Sequence, residues 1–218
     1  LRAGLVQSFG AGWRARASYG EAFRAPTLGE LFFPFSGNPN LRPEEGRSAE
    51  IGLEKSVGNW RFDLAAFENR QRDLIDFDLV TFTNINISRA RSRGAELGVS
   101  YRRGIGSVRL DGAYLEAENL DTGLRLLRRP EQSVNLFATL APREWSFALT
   151  GRYVGERPDV DPITFARSEN PSSLRVDLAA RYNGFSRIQP FARVENVADR
   201  RYAEALGFPA SERTFFGG

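Results

Sequence analysis

Apolar and polar residues alternate with period two in segment after segment of this chain, the mark of β-strands with one apolar and one polar face. In 145–153 the odd positions are Trp145, Phe147, Leu149, Gly151 and Tyr153, and the even ones are Ser146, Ala148, Thr150 and Arg152. In 174–182, Leu174, Val176, Leu178, Ala180 and Tyr182 alternate with Arg175, Asp177, Ala179 and Arg181. Trp13, Ala15, Ala17 and Tyr19 likewise oppose Arg14, Arg16 and Ser18, while Trp60, Phe62 and Leu64 oppose Arg61 and Asp63. Ala95, Leu97, Val99 and Tyr101 oppose Gly94, Glu96, Gly98 and Ser100. The pattern predicts eleven strands, near 1–8, 12–22, 47–57, 60–70, 91–101, 107–117, 132–140, 145–155, 174–182, 188–197 and 213–218. Pro190 lies inside one of them, which predicts a bulge or an early strand end there.

The connections sort into two alternating classes. Short ones fall at Phe9–Ala11, Gly58-Asn59, Arg102–Gly106, Ala141–Glu144 and Asn183–Arg187; long ones at 23–46, 71–90, 118–131, 156–173 and 198–212. In an antiparallel meander this puts the tight turns at one end of the sheet and the long loops at the other. Trp13, Trp60 and Trp145 fall just after a short turn, and Tyr101 and Tyr182 just before one, so amphipathic rings gather at that end. Tyr19, Tyr114 and Tyr153 sit at the opposite ends of their strands. From Trp145 to Tyr153 is roughly 27 Å along a strand at ~3.4 Å per residue, or about 20 Å after a tilt of ~40°. That approximates an apolar bilayer band between two aromatic girdles. The apolar face then meets lipid, and the Arg, Asp, Glu and Ser face lines a polar interior.

Alternation alone also suits a soluble β-propeller or a two-sheet sandwich. Propeller blades carry four strands per repeat, however, where each repeat here holds two. A soluble core also gives no reason for Trp and Tyr at strand ends. The expected fold class is therefore all-β, an antiparallel transmembrane β-barrel. No window offers the roughly 20 continuous apolar residues of a membrane-spanning helix.

Composition removes several chemistries. The 218 residues include no Cys, His or Met, so there is no disulfide, no thiolate and no imidazole to act as base or metal ligand. Most hydrolase triads, zinc sites and haem sites are thereby excluded; the expectation is a protein that is not an enzyme and holds no cofactor. A nucleophilic serine would have only Lys55, the single lysine, or a shifted carboxylate as its base. With 30 basic against 27 acidic residues, the charge is too balanced for a nucleic-acid-binding face. The chain opens at Leu1 without an initiator Met or signal sequence and stops at Gly218 after an apolar run. It is expected to be a piece of a longer protein.

Two stretches carry a resemblance. The first is Gly20-Glu21-Ala22-Phe23-Arg24-Ala25-Pro26-Thr27-Leu28-Gly29-Glu30-Leu31, followed by Gly37-Asn38-Pro39-Asn40-Leu41-Arg42-Pro43-Glu44. The second is Phe191-Ala192-Arg193-Val194-Glu195-Asn196-Val197-Ala198-Asp199-Arg200-Arg201-Tyr202, with Gly207-Phe208-Pro209 and Arg213-Thr214-Phe215-Phe216-Gly217-Gly218 behind it. Together these resemble the carboxy-terminal half of a TonB-dependent outer-membrane receptor, nearest in flavour to cobalamin and siderophore receptors. The resemblance implies a barrel of about 22 strands, of which residues 1–218 would supply about eleven, with long loops outside and short turns in the periplasm. It implies residence in the bacterial outer membrane, contact with its lipid, a plug domain and first half-barrel absent from this sequence, and the periplasmic partner TonB. The implied function is energised uptake of a scarce metal chelate or cofactor. A passive porin or autotransporter-type barrel shares the physical features but lacks these two motifs, and a soluble β-rich binding module is the remaining alternative.

Several side chains are candidates for contact with such a small ligand. Phe32, Phe33 and Phe35, in the run Leu31–Phe35, could offer an aromatic surface, or could pack their loop onto the barrel mouth or a neighbouring loop. Asp73, Asp76 and Asp78 could approach a hard cation, although an extended strand through Phe77 places them equally well. Arg157, Asp159 and Asp161 are the polar candidates in the fourth long loop. On the polar face Arg14, Arg16, Glu50, Glu54, Glu96, Arg109, Asp111, Arg152, Asp177, Arg181, Arg193 and Glu195 are expected to form ladders that hold the wall and, in part, grip the plug.

Overall fold

The computed structural model describes residues 1–218, the side chains of Ile87 and Ser88 apart. Its elements are β1 (Arg2–Ser8), β2 (Trp13–Arg24), α1 (Leu28–Phe32), β3 (Glu44–Val57), β4 (Trp60–Asp78), β5 (Thr83–Arg103), β6 (Gly106–Asn119), β7 (Gln132–Leu140), β8 (Trp145–Val154), β9 (Arg157–Val160), β10 (Arg167–Asn170), β11 (Ser173–Tyr182), β12 (Phe191–Glu195), β13 (Ala203–Ala205), β14 (Phe208–Pro209) and β15 (Thr214–Gly217). Eleven strands make one sheet in the order β1-β2-β3-β4-β5-β6-β7-β8-β11-β12-β15, and every pairing in it is antiparallel. It is a meander: each sheet strand pairs with the next sheet strand along the chain. The pairs β9–β10 and β13–β14 stand apart, inside two of the long loops.

The sheet has almost no interior. Among the described residues the buried apolar ones are Leu41, Ala65, Ala90 and Ala117, far too few for a soluble core, while large apolar side chains such as Leu53, Leu64, Leu97, Leu110 and Leu178 are exposed. They share one face. Cross-strand registers align Leu53 with Leu64, Leu64 with Leu97, and Val99 with Leu110. The opposite face carries Arg14 beside Glu54, Glu54 beside Asp63, and Asp177 beside Thr150. A curved sheet that turns its apolar face outward and its charges inward is stable only where hydrocarbon covers the outside. Phe67 and Phe137 interrupt the charged face. Phe67 lies across from Gly94, and a Cβ there would stand 2.9 Å from the Phe67 ring and 2.1 Å from the Tyr114 carbonyl oxygen.

The short-turn end carries the aromatic girdle. Trp60 packs on Tyr101 with ring centroids 4.6 Å apart, and Trp145 on Tyr182 at 5.0 Å. Both are directly opposed cross-strand pairs, as are Trp13 and Lys55. The Lys55 ammonium sits 4.7 Å from the Trp13 ring centre and donates to the Ala11 carbonyl at 2.6 Å. A lysine at a membrane edge thus keeps its stem in the apolar layer and its charge at the interface.

Three departures from the sequence pattern have physical causes. Segment 71–90 is expected to be a long loop, but β4 and β5 run on as a tall hairpin closed by Leu79–Phe82. Above the lipid no apolar face is needed, so the alternation fades while the backbone ladder continues. The loop 23–46 contains α1, started by a capping box in which Thr27 Oγ1 accepts from Glu30 N and the Glu30 carboxylate accepts from Thr27 N. The strand expected over 188–197 begins only at Phe191, immediately after Pro190, which has no N–H to give a ladder.

Candidate functional site

The charged face carries several ion-pair clusters. In one, Arg16 is the hub: Nε donates to Glu50 at 3.0 Å, Nη1 to Glu54 at 3.2 Å and to Asp63 at 2.8 Å. Glu54 is also met by Arg61 at 2.8 Å and by Arg14 at 3.8 Å. Arg109 pairs with Asp111 at 2.7 Å. Farther round, Arg175 holds Asp177 at 2.7 Å and Glu195 at 3.5 Å, and Arg193 holds Glu195 at 2.6 Å. Of the predicted lumen residues, Arg14, Arg16, Glu50, Glu54, Arg109, Asp111, Asp177, Arg193 and Glu195 are therefore brought into ion pairs. Glu96, Arg152 and Arg181 form none among the described residues.

The first long loop is tied to the wall. Arg24 donates to both Glu44 oxygens at 2.6 and 2.7 Å and to both Glu30 oxygens at 3.0 and 3.1 Å. Arg24, followed by the Thr27 N–H, holds the Glu30 carboxyl down at about 2. The Asn-Pro-Asn-Leu segment docks on the tall hairpin: Asn38 Nδ2 donates to Asn84 O at 2.9 Å, and Asn84 Nδ2 reaches back to Glu30 O and Ser36 O, each at 3.2 Å. Asn86 grips Arg42 through both backbone groups, and Leu41 is buried beneath. With the loop so anchored, Phe32, Phe33 and Phe35 remain exposed, Phe35 completely.

Two other loops meet at the rim. Phe82, at the tip of the tall hairpin, sits edge-on to Phe77 at 6.3 Å and to Phe165 of the fourth long loop at 6.0 Å. Asp78 caps that tip, accepting from Val80 N, Thr81 N and Thr81 Oγ1. Asp76 accepts from Phe77 N, and Asp73 pairs with Arg42 at 2.5 Å. The three aspartates serve separate partners, and no group of three acidic residues suited to a metal ion occurs among the described residues.

The fourth long loop corrects an expectation. Asp159 is not a solvent-facing ligand contact: it is fully buried, and both its oxygens are taken. Oδ1 accepts from Arg128 Nε and Val160 N, each at 2.9 Å; Oδ2 accepts from Leu206 N at 2.9 Å and from buried Asn170 at 3.3 Å. Burial pushes this carboxyl up, but the Arg128 guanidinium and the two backbone N–H groups outweigh it and hold it at about 2. Asp161 closes its own turn by accepting from Ile163 N, Thr164 N and Thr164 Oγ1. Arg157 is buried too, its Nη2 donating to the carbonyls of Ala203 and Glu204 at 2.8 Å each. The β9–β10 hairpin is thus clasped between the loops 120–131 and 196–213.

Sequence reasoning missed Arg24, Glu30, Asn84, Asn86, Arg128 and Asn170, all of which act in the loops. The Thr27-x-x-Glu30 spacing was the available signal for the first pair. It also missed what the Glu195–Tyr202 motif does. Buried Asn196 donates its backbone N–H to Asp177 at 2.9 Å and ties Arg200 and Ser211 with its side chain. The motif turns the chain out of β12 and locks that corner to the lumen network.

An outward apolar face, interfacial aromatic pairs, a charged inner face and anchored long loops at one end define the wall of an outer-membrane β-barrel. The family model described as TonB dependent receptor-like, beta-barrel, matches residues 2–197, and the chain belongs to that family, whose members are barrels of the bacterial outer membrane. A vitamin B12 transporter BtuB from Vibrio cholerae is 30% identical over 206 residues, covering 92% of this chain and 33% of its own length. One from Vibrio vulnificus is 28% identical over 193 residues, covering 87% and 31%. This chain spans about a third of the length of these curated relatives. Among solved structures the copper transporter OprC superposes with a TM-score of 0.82 at 21% identity, covering 96% of this chain and 36% of its own. A ferric enterobactin receptor from Pseudomonas aeruginosa does so with 0.82 at 17% identity, covering 98% and 39%. Both show the same fold.

Proposed function

We propose that residues 1–218 are the carboxy-terminal half of the barrel of an outer-membrane receptor that imports a scarce metal chelate or cofactor of the siderophore or cobalamin class. Import is driven by TonB through a plug domain carried elsewhere in the protein. The observation that carries this reading is the tethered mouth: long loops are bonded into fixed positions above a polar lumen, yet leave Phe32, Phe33 and Phe35 bare. A passive pore has no need of exposed rings on a loop held by a bidentate arginine. Flat, partly apolar ligands bind to such rings by stacking and area burial.

The test is uptake by the complete receptor in cells lacking their own receptors for labelled cobalamin and for ferric siderophores. Accumulation of one of these, abolished when the energy-coupling protein is deleted, is the expected result. Uptake that proceeds equally without that protein would leave a passive pore in its place.

A further inference from the structure

Below the fourth loop lies a cavity of about 220 Å³ with an unusual wall: Arg128, Arg152, Arg157 and Arg175 line it, with Tyr202 and Glu204. Three features of these arginines go together. Arg157 is 6% exposed, and its Nη1 is a buried side-chain nitrogen without a hydrogen-bond partner, while Nη2 is held by carbonyls rather than by a carboxylate. A buried guanidinium left with an empty donor costs free energy that a native site ordinarily recovers from a partner. Arg152 and Arg175 are directly opposed across β8 and β11, a like-charge register that is destabilising by itself. Arg175 is neutralised by Asp177 and Glu195, but Arg152 makes no ion pair among the described residues. Against this excess Glu204 supplies one carboxylate.

We propose that this cavity is an oxyanion site at the upper end of the lumen, where Arg152 and Arg157 take a carboxylate or phosphate group of a small ligand. The guanidinium fork suits such groups because two N–H bonds can run parallel to two oxygens. The volume admits one such group with a few waters, so it selects an anionic arm rather than a whole chelate. This rests on the receptor reading for its place in uptake, and on the geometry alone for its existence. Two of its lining arginines belong to the loop clasp: Arg128 bonds Asp159, and Arg157 shares the Ala203 carbonyl with Asn170, so an anion seated there meets a wall that is already tied.

The probe is inorganic phosphate, titrated calorimetrically into the complete receptor in detergent. Saturable binding below about 10 mM is expected, weakened about tenfold by Arg152→Gln, the loss of one charge-assisted bond. Arg181→Gln, on the same strand face toward the short-turn end, should leave it unchanged. Arg157→Lys keeps the charge but not the fork and should also weaken binding; if it fails to fold, Arg152→Gln, at an exposed position, still decides. Absence of saturable binding, or equal binding by Arg152→Gln, overturns the site. So does binding seen only after the plug is deleted, which would assign the cavity to a carboxylate of the receptor itself. Loss of uptake with phosphate binding intact would count against the transport reading and leave the site standing.

Discussion

Arg128 donates its Nε to Asp159 Oδ1 at 2.9 Å, joining the loop before β7 to the hairpin that follows β8. The bond is unequal: the arginine is over half exposed and the aspartate fully buried, so the carboxylate depends on its partners more than they depend on it. Leu206 N, from a third loop, completes the clasp. One buried charge therefore joins three of the five long connections.

Asp159→Asn keeps the shape and removes the charge. It leaves Arg128 without its carboxylate and turns one acceptor into a donor facing the N–H groups of Val160 or Leu206. The expected cost is about 2 kcal/mol, a roughly thirty-fold fall in amide protection confined to the clasp. Hydrogen exchange at Val160 and Leu206 in the complete receptor measures it. Protection equal to that of the parent protein would mean the carboxylate holds nothing.

The same group gives the loops an acid limit. Its pKa is lowered in the fold from an ordinary 3.8 to about 2, so its stabilisation is fully present above pH 3.8 and is lost as the pH falls through 2. The integrated contribution is about 2 kcal/mol. Loop protection should hold down to about pH 4 and then decline, and Asp159→Asn should lack this decline. An unchanged acid limb in the variant would assign the loss to other carboxylates.

Thr27→Ala removes one half of the capping box that starts α1. Loss of such a cap costs about 1 kcal/mol, and because Glu30 is shared with Arg24 the loop should loosen as far as its contacts with Asn84. Limited proteolysis between Leu31 and Asn40 is expected to speed up several-fold, with Thr27→Ser restoring the parent rate. Cleavage at the parent rate in Thr27→Ala would show that the asparagine ties alone hold the loop.

The parts of this fold legible in the sequence are those where lipid imposes a pattern. Leu53, Leu64, Leu97 and Leu110 each belong to the every-second-place apolar row of their own strand because that row meets hydrocarbon, and Trp60 and Tyr101 mark the edge of that layer. Above the edge the constraint lapses. Gln71, Arg72 and Asp73 continue β4 past residue 70 with no apolar face to announce it, and β9 and β10 are four residues each. The clasp was hidden for a different reason: Asp159, Asn170 and Leu206 meet across 11 and 47 residues of chain, and a buried aspartate in a loop reads like a solvated one until its partners are placed.

Leu97 offers the sharpest test of which side faces lipid. It points outward beside Leu64 and Gly112, between the levels of Tyr101 and of Tyr114, the latter opposite Ala95. Its neighbour Glu96 points the other way, into the lumen. An arginine on the lipid side near the middle of the apolar band costs about 2–4 kcal/mol, whereas a polar exchange facing water inside the barrel stays within about 0.5 kcal/mol. Unfolding of the complete receptor in lipid vesicles should therefore separate Leu97→Arg from Glu96→Gln by that margin. Because the two residues are adjacent on β5, their depth is closely matched while they face opposite sides of the sheet. If the two variants unfold alike, the apolar face does not meet lipid; if Glu96→Gln proves the costlier, its carboxylate already has a partner in the complete receptor, which is what an engaged plug would supply.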